Sequence, residues 1–272
     1  QWSGTLNIAG NRSKVLALSG DIEDPANPGV YRFGNTVLKI GEPVGLLYGR
    51  VFKKILATQA EVDAYSQSSP GYYPYLGIGD ASYEVVENYM GYQGFTYFKD
   101  DIIGKAEPKY YGGYTNRLSY KSFSLTTLTT FSYGNDIYYL ADIRNRDVAE
   151  RTNKGIRILD RWTPENPTAT RPRLIMGESS YAYAASDNVY DASFIKLKSV
   201  TLAYQFPKTF TDRLKINSVS AYVSGTNLLS ITNYPGVDPE VSNDPYSLIG
   251  GYSDAGGYPF VRQFSFGLRI GL

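Results

Sequence analysis

Three carboxylates crowd one short stretch, Asp238, Glu240 and Asp244 in VDPEVSNDP. That spacing could provide a paired-carboxylate site or oxygen ligands for calcium. The prolines within it favour a plainer role, a loop closed by local hydrogen bonds. Spacing alone gives no separation between two carboxylates, so no sugar-cleaving geometry can be assigned. Other chemistries are excluded by composition. The chain contains no His and no Cys. His-based triads, His-ligated zinc, thiolate nucleophiles and disulfides are therefore ruled out. A glycan-degrading enzyme using two carboxylates survives that exclusion, but no constellation supports it. No catalytic residue, metal or cofactor is expected.

Aromatic residues offer a second kind of chemistry. There are 26 Tyr, 12 Phe and 2 Trp in 272 residues, an excess that suits interfacial girdles or sugar-stacking surfaces. Tyr72, Tyr73 and Tyr75 lie together in GYYPYLG. They are candidates for contact with a ligand or with a partner protein, with plain packing as a third reading. Trp162, in RWTPENP, could stack on a sugar but is better suited to anchoring a loop by burial. Lys plus Arg is 27 and Asp plus Glu is 26, and this balance gives no electrostatic reason to expect nucleic acid.

The elements that must carry these residues are strands. In FVRQFSFGLRIGL, positions Phe264, Phe266, Leu268, Ile270 and Leu272 alternate with Ser265, Gly267, Arg269 and Gly271. Successive strand residues face opposite sides, so one face is unbroken hydrocarbon. A soluble sandwich strand and a membrane-barrel strand both fit that pattern. Similar strands open at Trp2 and follow at 44–55, 110–120, 123–133, 193–206 and 218–226. The strand at 44–55 alternates poorly. A phase switch near Lys198-Ser199 predicts a bulge. Arg117 and Arg269 fall on the polar face, where a structural role in the lumen is expected. Asn116 interrupts the apolar face. Thr58 to Glu61 has capping-box spacing and predicts a short helix to about Ser66, and Gly34-Asn35 predicts a small hairpin.

About seven strands result, in up-and-down order. Connections at 56–108, 135–192 and 233–259 are long, whereas those at 121–122 and 207–215 are short and lie at the opposite end. That asymmetry is the signature of an outer-membrane barrel and turns the balance against a sandwich. The connection at 11–43 is the exception, being long on the short-turn side. No run approaches 18 apolar residues, so no transmembrane helix is expected. No signal peptide opens the chain, and a C-terminal part of something longer is expected. Seven strands would leave two open edges in lipid, so further strands must come from another stretch of chain.

Several stretches, in order and spacing, resemble one family. They are GEPVGLLYGRVF (41–52), IIGKAEPKYYGGYTNRLSYKSFSL (102–125), SYGNDIY (132–138), RWTPENP (161–167), ASFIKLKSVTLAYQFP (192–207), VSAYVSGTNLLSITNYPGVDPEVS (219–242) and GGYPFVRQFSFGL (256–268). Together they are similar to the C-terminal portion of the SusC/RagA-type TonB-linked outer-membrane transporters of Bacteroidetes. The resemblance implies an all-β fold: part of a transmembrane antiparallel β-barrel of about 22 strands, plugged by an N-terminal domain absent from this sequence. It implies import of glycans or peptides, powered through TonB. The implied partners are a SusD-like surface lipoprotein, the remaining barrel and plug, outer-membrane lipid, and an oligosaccharide or peptide ligand. Members often carry an acidic, calcium-loop-like segment before the IIG stretch. Residues 78–104 lack its spacing, so no metal is expected there. The alternative from a different class is a soluble carbohydrate-binding β-sandwich.

Overall fold

The computed structural model describes residues 1–20, 28–68, 76–90, 96–146, 153–175, 185–240, 253–258 and 260–271. Its frame is a six-stranded antiparallel sheet. The strands are β1 (Trp2–Ala9), β2 (Tyr110–Tyr120), β3 (Phe123–Tyr133), β4 (Phe194–Gln205), β5 (Ser218–Thr232) and β6 (Gln263–Gly271), paired in that order.

Register decides which residues share a face, because a one-residue slip would move every side chain to the other side. One row across all six strands reads Trp2, Leu118, Leu125, Leu202, Val223, Phe266. The next row reads Ser3, Arg117, Thr126, Thr201, Ser224, Ser265. The sheet therefore has one hydrocarbon face and one hydroxyl-rich face, on which Thr201 and Ser224 hydrogen-bond at 3.0 Å. Asn116, the polar break in the apolar face, is matched: its Oδ1 accepts the Trp2 indole N–H at 2.6 Å.

Among the described residues no second sheet covers the apolar face. Phe264, Phe266, Leu268 and Ile270 are all more than half exposed, Phe266 at 81%. Fully burying such a side chain stabilises by roughly 1.5–3 kcal/mol, so these four, already partly covered, forgo about 4–8 kcal/mol unless lipid covers them. This is the reverse of a sandwich, whose inner faces interdigitate. The architecture is the expected all-β, antiparallel membrane-barrel wall.

The buried core sits instead in the excursions. Residues 46–50 form a four-stranded sheet with 30–33, 36–39 and 100–105. Residues 52–55 pair with 81–83, and 136–138 pair with 189–191. Leu46, Leu47, Leu56, Val62, Tyr65, Tyr83, Tyr138 and Ile143 are buried there. The wall strand expected at 44–55 is thus corrected: it is two short strands of this loop-borne core. Leu46 and Leu47 are adjacent and both buried, so the stretch has no exposed face to alternate with. Residues 10–109 then become a single long excursion between β1 and β2. The exceptional connection at 11–43 disappears, and every long connection leaves the same end of the sheet.

Several local expectations hold. Phe33 pairs with Thr36 around Gly34-Asn35. The helix α1 (Gln59–Ser68) carries its capping box: the Glu61 N–H donates to Thr58 Oγ1, and the Thr58 N–H donates to Glu61 Oε2, both at 3.3 Å. Its neighbour Lys54 hydrogen-bonds the same carboxylate and holds the Glu61 pKa below the usual range. The bulge falls at Lys198, which has no partner in either neighbouring strand's register.

Candidate functional site

The chemistry-bearing residues gather where the long connections meet the wall. Lys196 and Lys198 open β4 at that end. Lys196 lies on the polar face, opposite Thr130 and Ser230. Lys196 is 5% exposed, and a buried ammonium must be paired. The connection after β5 folds back to supply the partners. Lys196 Nζ donates to Asp238 Oδ1 and, at 2.7 Å, to Glu240 Oε2. Lys198 Nζ reaches the same Glu240 oxygen at 2.5 Å. The Phe260 ring lies 5.6 Å from the Lys196 ammonium and 5.2 Å from that of Lys198. One excursion thus grips the wall from both of its ends.

This fixes the role of the acidic stretch. The Asp238 Oδ1 also accepts the Glu240 N–H at 2.8 Å, closing the loop locally as its prolines suggest. Asp238 is buried rather than solvated. Asp244 lies outside the described residues. Among the described residues no group of three or more His, Cys, Asp or Glu is placed to hold a metal ion.

A second cluster ties the excursions to one another. Arg171 donates to Asp142 Oδ2 at 2.8 Å and to the Tyr190 hydroxyl at 3.2 Å, and Arg157 donates to that hydroxyl from another segment. The Tyr139 ring packs on Tyr190 and Tyr234. The Tyr234 hydroxyl donates to Asp254 Oδ2 at 2.7 Å. Burial pushes the Tyr234 phenol far up, and Asp254 adds to that by holding its proton. Burial likewise raises Tyr139, with Asp142 and Asp254 reinforcing it.

Trp162 packs against the cluster of Ile55, Ala81, Tyr83 and Ala185. Its indole covers Gly79, where a Cβ would collide with the ring, and the positive φ of 94° itself calls for glycine. The Trp162 backbone N–H donates to the Arg171 carbonyl at 2.8 Å. This is the geometry of a loop anchor. Beside it, Arg173 clamps Asp80 with two bonds of 2.7 and 2.9 Å. Tyr72, Tyr73 and Tyr75 lie outside the described residues.

Arg117 and Arg269 both fall on the polar face, Arg117 opposite Ser3 and Thr126, Arg269 opposite Ser220. The sequence reading passed over Lys196 and Lys198. Their signal was present: two lysines two residues apart at the start of a strand whose polar side continues with Ser199 and Thr201. Their partners, though, lie 42 and 44 residues away in sequence.

A strand wall with one lipid-ready face, one polar face and all long connections at one end defines a transmembrane β-barrel protein. No family model matches the chain. Individual relatives do, over 99% of its length. It is 33% identical to TonB-dependent receptor P26 and 29% identical to TonB-dependent receptor P3, both of Formosa agariphila. It is 23% identical to TonB-dependent receptor SusC of Bacteroides thetaiotaomicron. The chain spans about a quarter of these relatives, 27%, 26% and 24% of their lengths. Among solved structures, it superposes over its whole length on 27% of a chain of the RagAB peptide transporter, with a TM-score of 0.72 at 20% identity. An open-open state of the RagAB peptide importer gives 0.70. The resemblance to the SusC/RagA type of TonB-dependent receptor is thereby borne out. The matched proteins are receptors and transporters, not enzymes.

Proposed function

We propose that residues 1–272 are the C-terminal part of the barrel of a TonB-dependent outer-membrane importer. It takes up glycans or peptides together with a SusD-like lipoprotein. The observation that carries this reading is the register. An apolar row and a polar row run side by side across six strands, and the long connections all leave one end.

In this reading the apolar face meets lipid and the polar face lines the passage. Arg117 and Arg269 supply fixed positive charge there, facing the plug or the solute. The outer edges of β1 and β6 are unpaired within the sheet. In hydrocarbon each unpaired N–H or C=O costs several kcal/mol, so further strands of the receptor pair with them. The excursions, braced by their own core and by the Lys196–Glu240 clasp, form the outer mouth. The lid lipoprotein and the solute would meet there, with Tyr72, Tyr73 and Tyr75 as candidate contacts and Trp162 holding the loop behind them. TonB would act on the N-terminal part of the receptor.

Uptake by cells carrying the full-length receptor tests this. Labelled oligosaccharide or peptide should accumulate only with an intact TonB system, and a surface lipoprotein should co-purify with the receptor. Uptake that persists without TonB, or a receptor that purifies alone, contradicts the proposal.

A further inference from the structure

A groove of 310 Å³ opens on the wall at the end where the long connections begin. It crosses β3, β4 and β5. Three rungs of the sheet line it; the middle one, Ser132, Phe194 and Thr232, alternates to the opposite face, and the two on either side of it differ in chemistry. The lower rung is Phe131, Ile195 and Ile231, which are in register with one another. These side chains belong to the apolar face, continuous with Leu197, Leu202 and Val223. Ile195 and Ile231 are more than half exposed. The upper rung carries Tyr133, Asp191, Ser193 and Asn233.

Ser193 makes the groove by being small between the larger Tyr133 and Asn233. Its polar atoms are already used: its hydroxyl accepts the Gly134 N–H at 2.9 Å and donates to Asp191 Oδ1 at 2.5 Å. The floor is therefore dry-tolerant, whereas Asp191 remains exposed at the rim. Asp191 is the one charged side chain among the lining residues.

We propose that this groove seats one membrane lipid whose head ends in an ammonium group. Its acyl chain lies along Phe131, Ile195 and Ile231. Its head, one that carries hydrogen-bond donors, meets Asp191, Asn233 and the Tyr133 hydroxyl. Three observations select this occupant. The groove is continuous with the face that meets lipid. Its polarity changes from hydrocarbon to acceptor-rich between one outward-facing rung and the next, as a lipid's does at its head. Its one charge is negative, which favours a head that ends in an ammonium with N–H donors over one that ends in a bare phosphate. A lipid held this way would brace the strand ends from which two excursions leave.

The inference rests on the membrane-wall reading of the chain, and the experiment separates the two. The full-length receptor is placed in nanodiscs of phosphatidylethanolamine or of phosphatidylcholine, released into mild detergent, and weighed by native mass spectrometry. Ile195→Trp and Ile231→Trp fill the groove from exposed positions, and Ile270→Trp is the control on the same face away from it. One phosphatidylethanolamine should stay bound in the wild type and in the Ile270 variant. Retention should fall about tenfold in the two groove variants and in phosphatidylcholine. Retention that is equal for both lipids, or unchanged in the groove variants, overturns the groove. If Ile270→Trp adds no fluorescence that brominated acyl chains quench beyond what the wild type shows, the membrane wall itself fails.

Discussion

Lys196 shows what the wall asks of a single residue. Its side chain is 6% exposed and that of Asp238 10%, whereas Lys198 and Glu240 are each 25% exposed. Removing one partner of a buried pair leaves an uncompensated charge and costs about 3–5 kcal/mol. Exposed pairs contribute about 0–1 kcal/mol. Asp238→Ala should therefore loosen the connection after β5 far more than Lys198→Ala does. Hydrogen exchange at the Tyr234 amide in the full-length receptor reads this, because that amide lies in the same connection and its acceptor, Thr232 Oγ1, is kept in both variants. Equal exchange in the two variants would contradict the clasp.

At the scale of elements, the tight β2–β3 turn carries a visible cost. Tyr120 pairs with Phe123, and Lys121 between them has φ of 53°, the left-handed region. A non-glycine residue there gives up about 1–2 kcal/mol. Lys121→Gly should raise the urea midpoint of the folded receptor by about 1 kcal/mol in equivalent stability. A lower midpoint would show that the lysine side chain supports the turn.

The same scale shows what was legible in the sequence. Strands with one face to lipid and one to water must alternate, so β1 and β6 could be read residue by residue. The bulge at Lys198 was visible as a break in that phase. Residues 46–50 were misplaced because their strand is buried within the mouth, and adjacent buried leucines hide the period of two. Asp238 and Glu240 were singled out as carboxylates, but the lysines that claim them lie in another strand. Local spacing carries no record of such a pairing. Trp162 could be read as an anchor, whereas Gly79 and Arg173 beneath it could not.

For the whole molecule, the order of inside and outside is reversed from that of a soluble domain. The wall keeps its hydrocarbon outward, and most of the buried apolar residues sit in the connections that crown it. This division explains how one chain can be apolar around its waist and still hold a rigid, polar mouth. It also explains why the chain reads as polar on average, with a mean hydropathy of −0.30.

The central claim is that the row through Phe266 meets lipid and the row through Ser265 meets water. Single cysteines at Phe266, Leu268, Ser265 and Arg269 in the full-length receptor, each spin-labelled in a bilayer, test it most directly. Gly267 is unsuitable as an inward site, because the Tyr222 ring covers it. Labels at Phe266 and Leu268 should be reached by oxygen dissolved in the membrane, and labels at Ser265 and Arg269 by a water-soluble nickel chelate. Nickel access at Phe266 and Leu268, with a dry environment at Ser265, would contradict the account.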